Sequence, residues 1–176
     1  NNRVLRLYRN FTNANGNTTI IGTGAGAGGS LIEFVGNTPQ TFTNNGSNLV
    51  LNNVTMNQPI PGSSVTLANN GFSNMILGTS GILTLTSGRI ITGTTNEVVI
   101  QNTASAGAST GNTNSYVDGW MRRYFGTSAV TYDFAVGDAT MGYERATLEF
   151  TSAPTSAYQL AMRFLRWGGS NLPLVP

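Results

Sequence analysis

The sequence predicts an all-β protein: a parallel β-helix-like solenoid with a C-terminal cap of longer β-strands, a β-sandwich being the alternative. Three observations carry that expectation. From Ser63 to Asn102, short runs rich in Val, Ile and Leu are separated by Asn, Gly, Ser and Thr, with no helical period. Charged residues make up 9% of the chain, against about a quarter in an average soluble domain, so hydroxyls and amides must wet the surface. Beyond residue 114 the alternation of apolar and polar residues sharpens to period 2 over longer stretches, as a sheet with one buried face requires.

The elements follow in order. Arg3-Val4-Leu5-Arg6-Leu7-Tyr8 opens as a strand, and Asn10 to Thr19 is turn material around Asn15-Gly16. Thr19-Ile20-Ile21 leads into a glycine-rich run, Gly22 to Gly29, before strands at Ser30–Val35 and Gln40–Thr43. Apolar triplets then recur at Leu49–Leu51, Val65–Leu67, Leu83–Leu85 and Val98–Ile100, their centres about 15 to 18 residues apart. Asn recurs at the strand ends (Asn44-Asn45, Asn52-Asn53, Asn69-Asn70, Asn96, Asn102), where it turns a chain readily and can stack into amide ladders.

The expected organisation is solenoid repeats over 1–102, a polar linker over 103–114 and a β-strand cap over 115–176. Val117, Trp120, Met121 and Tyr124 also fit helical spacing, but Gly119 and the β-rich surroundings make this segment a strand. In the cap, Val130-Tyr132-Phe134-Val136, Ala146-Leu148-Phe150 and Tyr158-Leu160-Met162-Phe164 each share one face.

Composition excludes several functions. All nine basic residues are Arg, set against seven acids for a net charge of +2, which is too thin a footprint for nucleic acid. Absence of Cys and His removes disulfides, thiol catalysis and zinc. No apolar run approaches the roughly 20 residues of a membrane helix, so membrane insertion is not expected. Asn1-Asn2-Arg3-Val4 starts in mid-pattern, the expectation being a segment of a larger parent chain.

Gly24, Gly26 and Gly29 satisfy G-x-G-x-x-G, yet a strand-like segment follows where a dinucleotide site needs a helix, so no cofactor is expected. Asp118, Asp133, Asp138 and Glu144 are the candidates for calcium, but no D-x-D-x-D-G loop exists, and whether calcium binds stays open. Only Glu33 and Glu97 fall in the repeats, and without His or Lys few groups remain for acid–base work. The threonines Thr84, Thr86, Thr92, Thr94 and Thr95 lack the strict T-x-T of a flat hydroxyl surface, and strand propensity accounts for them.

Two series of blocks carry a family resemblance. The first runs Phe34-Val35-Gly36 to Gln40-Thr41-Phe42, Asn52-Asn53-Val54-Thr55-Met56-Asn57, Val65-Thr66-Leu67, then Gly81-Ile82-Leu83-Thr84-Leu85-Thr86-Ser87-Gly88-Arg89-Ile90-Ile91-Thr92. The second runs Ser115-Tyr116-Val117-Asp118-Gly119-Trp120-Met121-Arg122-Arg123, then Phe134-Ala135-Val136-Gly137-Asp138 and Tyr143-Glu144-Arg145-Ala146. In that order, over Arg3 to Phe164, they resemble the repetitive β-helix-like regions of large secreted and cell-surface, adhesin-type proteins of Bacteroidota, many of them exported by type IX secretion. Ala135 departs from the pattern, standing where that family commonly has Pro. The resemblance implies a β-helix-like repeat module with no catalytic residues to carry over.

The function expected is therefore a non-catalytic structural or adhesive module of an extracellular or surface protein, whose partners are glycans or other surface proteins. The alternatives are a carbohydrate-binding module and, behind it, a polysaccharide-acting enzyme fragment. The candidate ligand contacts are Trp120, Arg122, Arg123, Tyr124 and Trp167, the densest aromatic–cationic set in the chain. The competing reading places Trp120 and Tyr124 at the end of a core, covered by Arg stems.

Overall fold

Strands of two to five residues cannot stand as isolated hairpins, and here they stack instead into coils. The computed structural model describes residues 3–14, 30–46, 49–60 and 62–165. The first coil carries β1 (Val4–Leu7) and β2 (Phe11–Asn13), and the second β3 (Leu31–Phe34), β4 (Gln40–Asn44) and β5 (Val50–Leu51). The third carries β6 (Asn53–Asn57), β7 (Ser64–Leu67) and β8 (Met75–Leu77); the fourth β9 (Leu83–Ser87), β10 (Arg89–Ile91) and β11 (Val98–Ile100). Then come β12 (Val117–Asp118), β13 (Met121–Phe125), β14 (Thr131–Asp138), β15 (Gly142–Glu149) and β16 (Tyr158–Met162).

Three sheets result, in the orders β1-β3-β6-β9, β15-β14-β12-β10-β7-β4-β2 and β16-β13-β11-β8-β5. Every ladder joining β1 to β14 is parallel. The chain is thus a β-solenoid of about 4 turns, 50% strand and 2% helical, and the sandwich alternative falls with the parallel pairing.

Register turns the sequence pattern into columns. Ile32, Val54 and Leu83 are successive partners in the first sheet, as are Phe34, Met56 and Leu85. Phe11, Phe42 and Leu67 form one column of the second sheet, the first two rings stacked at 5.0 Å. Val65, Ile90, Val117 and Val136 form another. Met75, Val98 and Met121 align in the third sheet, beside Leu51, Leu77, Ile100 and Arg123. All of these side chains are buried, each apolar one contributing about 1.5–3 kcal/mol. The intervening Thr41, Thr55, Thr66 and Thr84 point outward, which is why Leu-Thr-Leu-Thr reads as it does.

The register also corrects the repeat length. Ile90 lies 25 residues beyond Val65, and Val117 lies 27 beyond Ile90. Successive apolar triplets belong to different sheets, so their shorter spacing measures a step around the coil and not a full turn.

Polar corners complete the interior. Asn13 Nδ2 donates to Asn44 Oδ1 at 2.7 Å, one rung of the expected amide ladder. Gln40, 2% exposed, donates to the carbonyls of Leu7 and Arg9 and accepts from Gln58 Nε2 at 3.1 Å. Gly88 has φ +93° and its missing Cβ would run into Gln58, so that corner requires glycine.

The solenoid extends further than expected. Residues 103–114 are no linker: Ala108 bridges Leu83 in parallel, Ser109 N–H donates to Leu83 O at 2.9 Å, and Ser109 Oγ accepts from Leu85 N–H. Backbone bonds, which small polar residues permit as well as any, place Ala108 and Ser109 beside β9 of the first sheet. Val117 and Met121 then continue two apolar columns, and β14 adds another parallel strand.

Among the described strands only β15 and β16 run antiparallel, on β14 and β13, and they end two different sheets. The β14–β15 turn is held by Asp138 Oδ1, which accepts from Thr140 N–H at 2.6 Å and Met141 N–H at 2.7 Å. Beneath this cap Phe125 meets Tyr132, Phe134 and Phe150 edge-on, with centroids 4.7 to 6.3 Å apart. No helix among the described residues is long and apolar enough to cross a membrane.

Candidate functional site

The alternation of β13 divides the expected contact cluster. Met121, Arg123 and Phe125 are buried, whereas Arg122 and Tyr124 are half-buried on the opposite face, and Trp120 precedes the strand on that same outward side. Trp167 lies outside the described residues.

Arg123 is therefore corrected from surface contact to core. It is 0% exposed and occupies the column of Leu77 and Ile100. Nη1 donates to Asp133 O at 2.9 Å, Nη2 to Ala104 O and Ser105 O at 3.1 and 2.8 Å, and the guanidinium stands 5.1 Å over the Tyr132 ring. Burial draws its pKa below the usual guanidinium value, though an arginine stays charged at such a site.

The outward face of the third sheet is what Trp120 and Arg122 do share. Asn74, Glu97 and Trp120 precede β8, β11 and β13 on successive coils, 23 residues apart in each step. Arg122 Nε donates to Glu97 Oε1 and Oε2 at 2.9 and 3.0 Å, and Nη1 reaches Gln159 Oε1 on β16 at 3.4 Å. Hydrogen bonding to Glu97 raises the Arg122 pKa. Arg163 places its guanidinium 4.5 Å over the Trp120 ring. Gly119, with φ +128°, leads into Trp120: a Cβ there would collide with Thr92 Oγ1, which accepts the Trp120 N–H at 2.9 Å.

Trp120 stands between two cavities. A polar one of about 360 Å³ is lined by Asn74, Thr94, Asn96, Glu97, Trp120 and Arg122. A more apolar one of about 570 Å³ lies between the ends of the second and third sheets, against Val136, Ala146, Met162, Phe164 and Leu165. Asn96 is 1% exposed; its Nδ2 donates to Ala68 O at 2.8 Å, while its Oδ1 has no partner among the described residues. Local clustering in the sequence did not mark Asn74, Asn96, Glu97 or Arg163 as ligand contacts. The 23-residue spacing was the available signal.

Three further carboxylates are held by arginines. Glu33 pairs with Arg6 at 2.9 Å, Asp118 with Arg89 at 3.3 Å and Asp133 with Arg145 at 2.7 Å. Hydrogen bonding from Asn57 outweighs burial and, with Arg6, holds the Glu33 carboxyl below its usual value. No three acidic side chains gather to hold a metal ion among the described residues, so the calcium candidates are dispersed. Thr84 and Thr86 are exposed, but Thr92 is fully buried, so the threonines form no single face. The glycine run 22–29 lies outside the described residues.

Asp118 yields a pH prediction. Burial raises its carboxyl above 3.8, Arg89 opposes the shift and Asp138 adds to it. The folded state then binds the proton more tightly than the unfolded chain. The resulting stability penalty is complete above the folded pKa and fades as pH falls toward 3.8. Asp118→Asn is expected to raise Tm at pH 7 relative to wild type and to lose that advantage by about pH 3.5, read by thermal melts across pH. An advantage that grows toward low pH would refute the assignment.

No protein-family model, curated protein or solved structure matches this chain.

Proposed function

We propose that this chain is a non-catalytic structural and adhesive module of a bacterial secreted or cell-surface protein. The observation that carries the reading is the commitment of five of its seven carboxylates, all but the exposed Glu144 and Glu149 of β15. Glu33, Glu97, Asp118 and Asp133 each hold an Arg, Asp138 caps a turn, and the chain has neither His nor Lys to move protons. What the chain has instead is a continuous core: buried columns with a polar, hydroxyl- and amide-rich exterior. The order of its blocks, resembling type IX-associated surface proteins of Bacteroidota, supplies the extracellular setting.

The test is incubation of the protein with a panel of bacterial, algal and host polysaccharides, with products followed by mass spectrometry and surface retention measured in parallel. Retention without chain cleavage is expected. Cleavage that disappears in Glu97→Gln would replace this reading with that of a polysaccharide-acting enzyme.

A further inference from the structure

We infer that the 360 Å³ cavity beside Trp120 is a subsite for one neutral pyranose ring of a glycan. The inference rests on the adhesive reading and names the ligand class through which adhesion would act.

Its volume falls in the roughly 300–1,000 Å³ range of small-ligand sites. The lining carries both hydrogen-bonding senses. Arg122 offers donors, and Asn74, whose oxygen already accepts Glu97 N–H at 2.9 Å, keeps its NH2 group uncommitted among the described residues. Glu97 offers carboxylate lone pairs.

Hydroxyls both donate and accept, and a ring dense in them serves Asn74, Glu97 and Arg122 together. The Glu97–Arg122 pair leaves no net charge in the cavity, which disfavours a phosphate or a free carboxylate. Trp120 supplies the apolar platform on which the C–H face of a pyranose packs, and Arg163, 4.5 Å from its ring centroid, fixes the indole.

The chain has two tryptophans, so Trp167→Phe leaves Trp120 as the sole indole reporter. The 176-residue Trp167→Phe chain is titrated with methyl pyranosides and short oligosaccharides of glucose, galactose, mannose, xylose and N-acetylglucosamine, and with glucuronate, following indole emission. At least one neutral sugar is expected to give a saturable change. Thr94→Trp, introduced in the Trp167→Phe background, fills the cavity from an exposed turn position. Its binding, read by saturation-transfer NMR, should fall at least tenfold while circular dichroism and Tm stay unchanged. Trp120→Ala should abolish the same NMR signal. If no neutral sugar binds, if only glucuronate does, or if Thr94→Trp binds as well as its parent, the subsite is refuted and the adhesive reading stands. Cleavage of the oligosaccharides would instead overturn the non-catalytic reading.

Discussion

Arg123→Ala is expected to lower stability by about 3–5 kcal/mol, the combined cost of a large-to-small cavity and of buried carbonyls left without donors. For a chain of this length that is a Tm loss of roughly 10 °C or more. The side chain is 0% exposed, and its two Nη atoms together satisfy the carbonyls of Ala104, Ser105 and Asp133. These carbonyls belong to two segments, the turn at Ser105–Gly107 with its preceding residue and β14, while Arg123 itself belongs to β13. Tyr132 doubles the tie: its hydroxyl donates to Thr103 O at 2.7 Å and its ring lies under the guanidinium. Alanine leaves three acceptors stranded beside a void, so packing and polar costs add. Arg123→Lys keeps the charge but gathers its donors on one nitrogen, and should recover less than half of the loss. Thermal melts decide the matter. A Tm within about 2 °C of wild type for the alanine variant would show that the guanidinium does not hold the coil end together.

The same residue explains why part of the architecture was hidden. Leu83-Thr84-Leu85-Thr86 declares its inward and outward faces because side-chain period equals strand pleat. Val65, Ile90 and Val117 could be read as core on apolarity alone. Arg123 could not: beside Arg122, Trp120 and Tyr124 its charge argued for a surface, since arginine is almost never fully buried unless its donors are met. Its partners are backbone carbonyls, which have no sequence signature. Residues 103–114 failed to read as part of a coil for a similar reason, because Ala108 and Ser109 are placed by main-chain bonds to Leu83.

The candidate site was half legible. Trp120 and Arg122 were visible as a local cluster, but Asn74 and Glu97 join them only through coil stacking. That stacking is 23 residues per turn from Asn74 to Trp120, but 25 from Val65 to Ile90 and 27 from Ile90 to Val117 on the second sheet. The coil length differs from sheet to sheet and turn to turn, so the 23-residue spacing of Asn74, Glu97 and Trp120 is not repeated along the chain as one period.

Leu77→Asp and Ile100→Asp should separate sharply although both replace fully buried neighbours in one column. An aspartate at position 77 faces Leu51 on one side and Ile100 on the other, with no cation in the column next to it. An uncompensated buried carboxylate costs several kcal/mol, a large part of the roughly 5–15 kcal/mol that holds a typical domain together. Loss of cooperative folding is expected, seen as aggregation or a missing thermal transition. At position 100 the register neighbour is Arg123, whose buried Nε has no acceptor among the described residues. An aspartate there meets an opposite charge and an idle donor, and the variant should remain folded with a lowered but measurable Tm. The order can be checked in one plate of melts, with the Ile100→Asp, Arg123→Ala double variant completing the cycle. Removing Arg123 from the Ile100→Asp variant should cost more than removing it from wild type. Equal costs, or a folded Leu77→Asp beside an unfolded Ile100→Asp, would mean that the guanidinium does not sit at the end of this column as described.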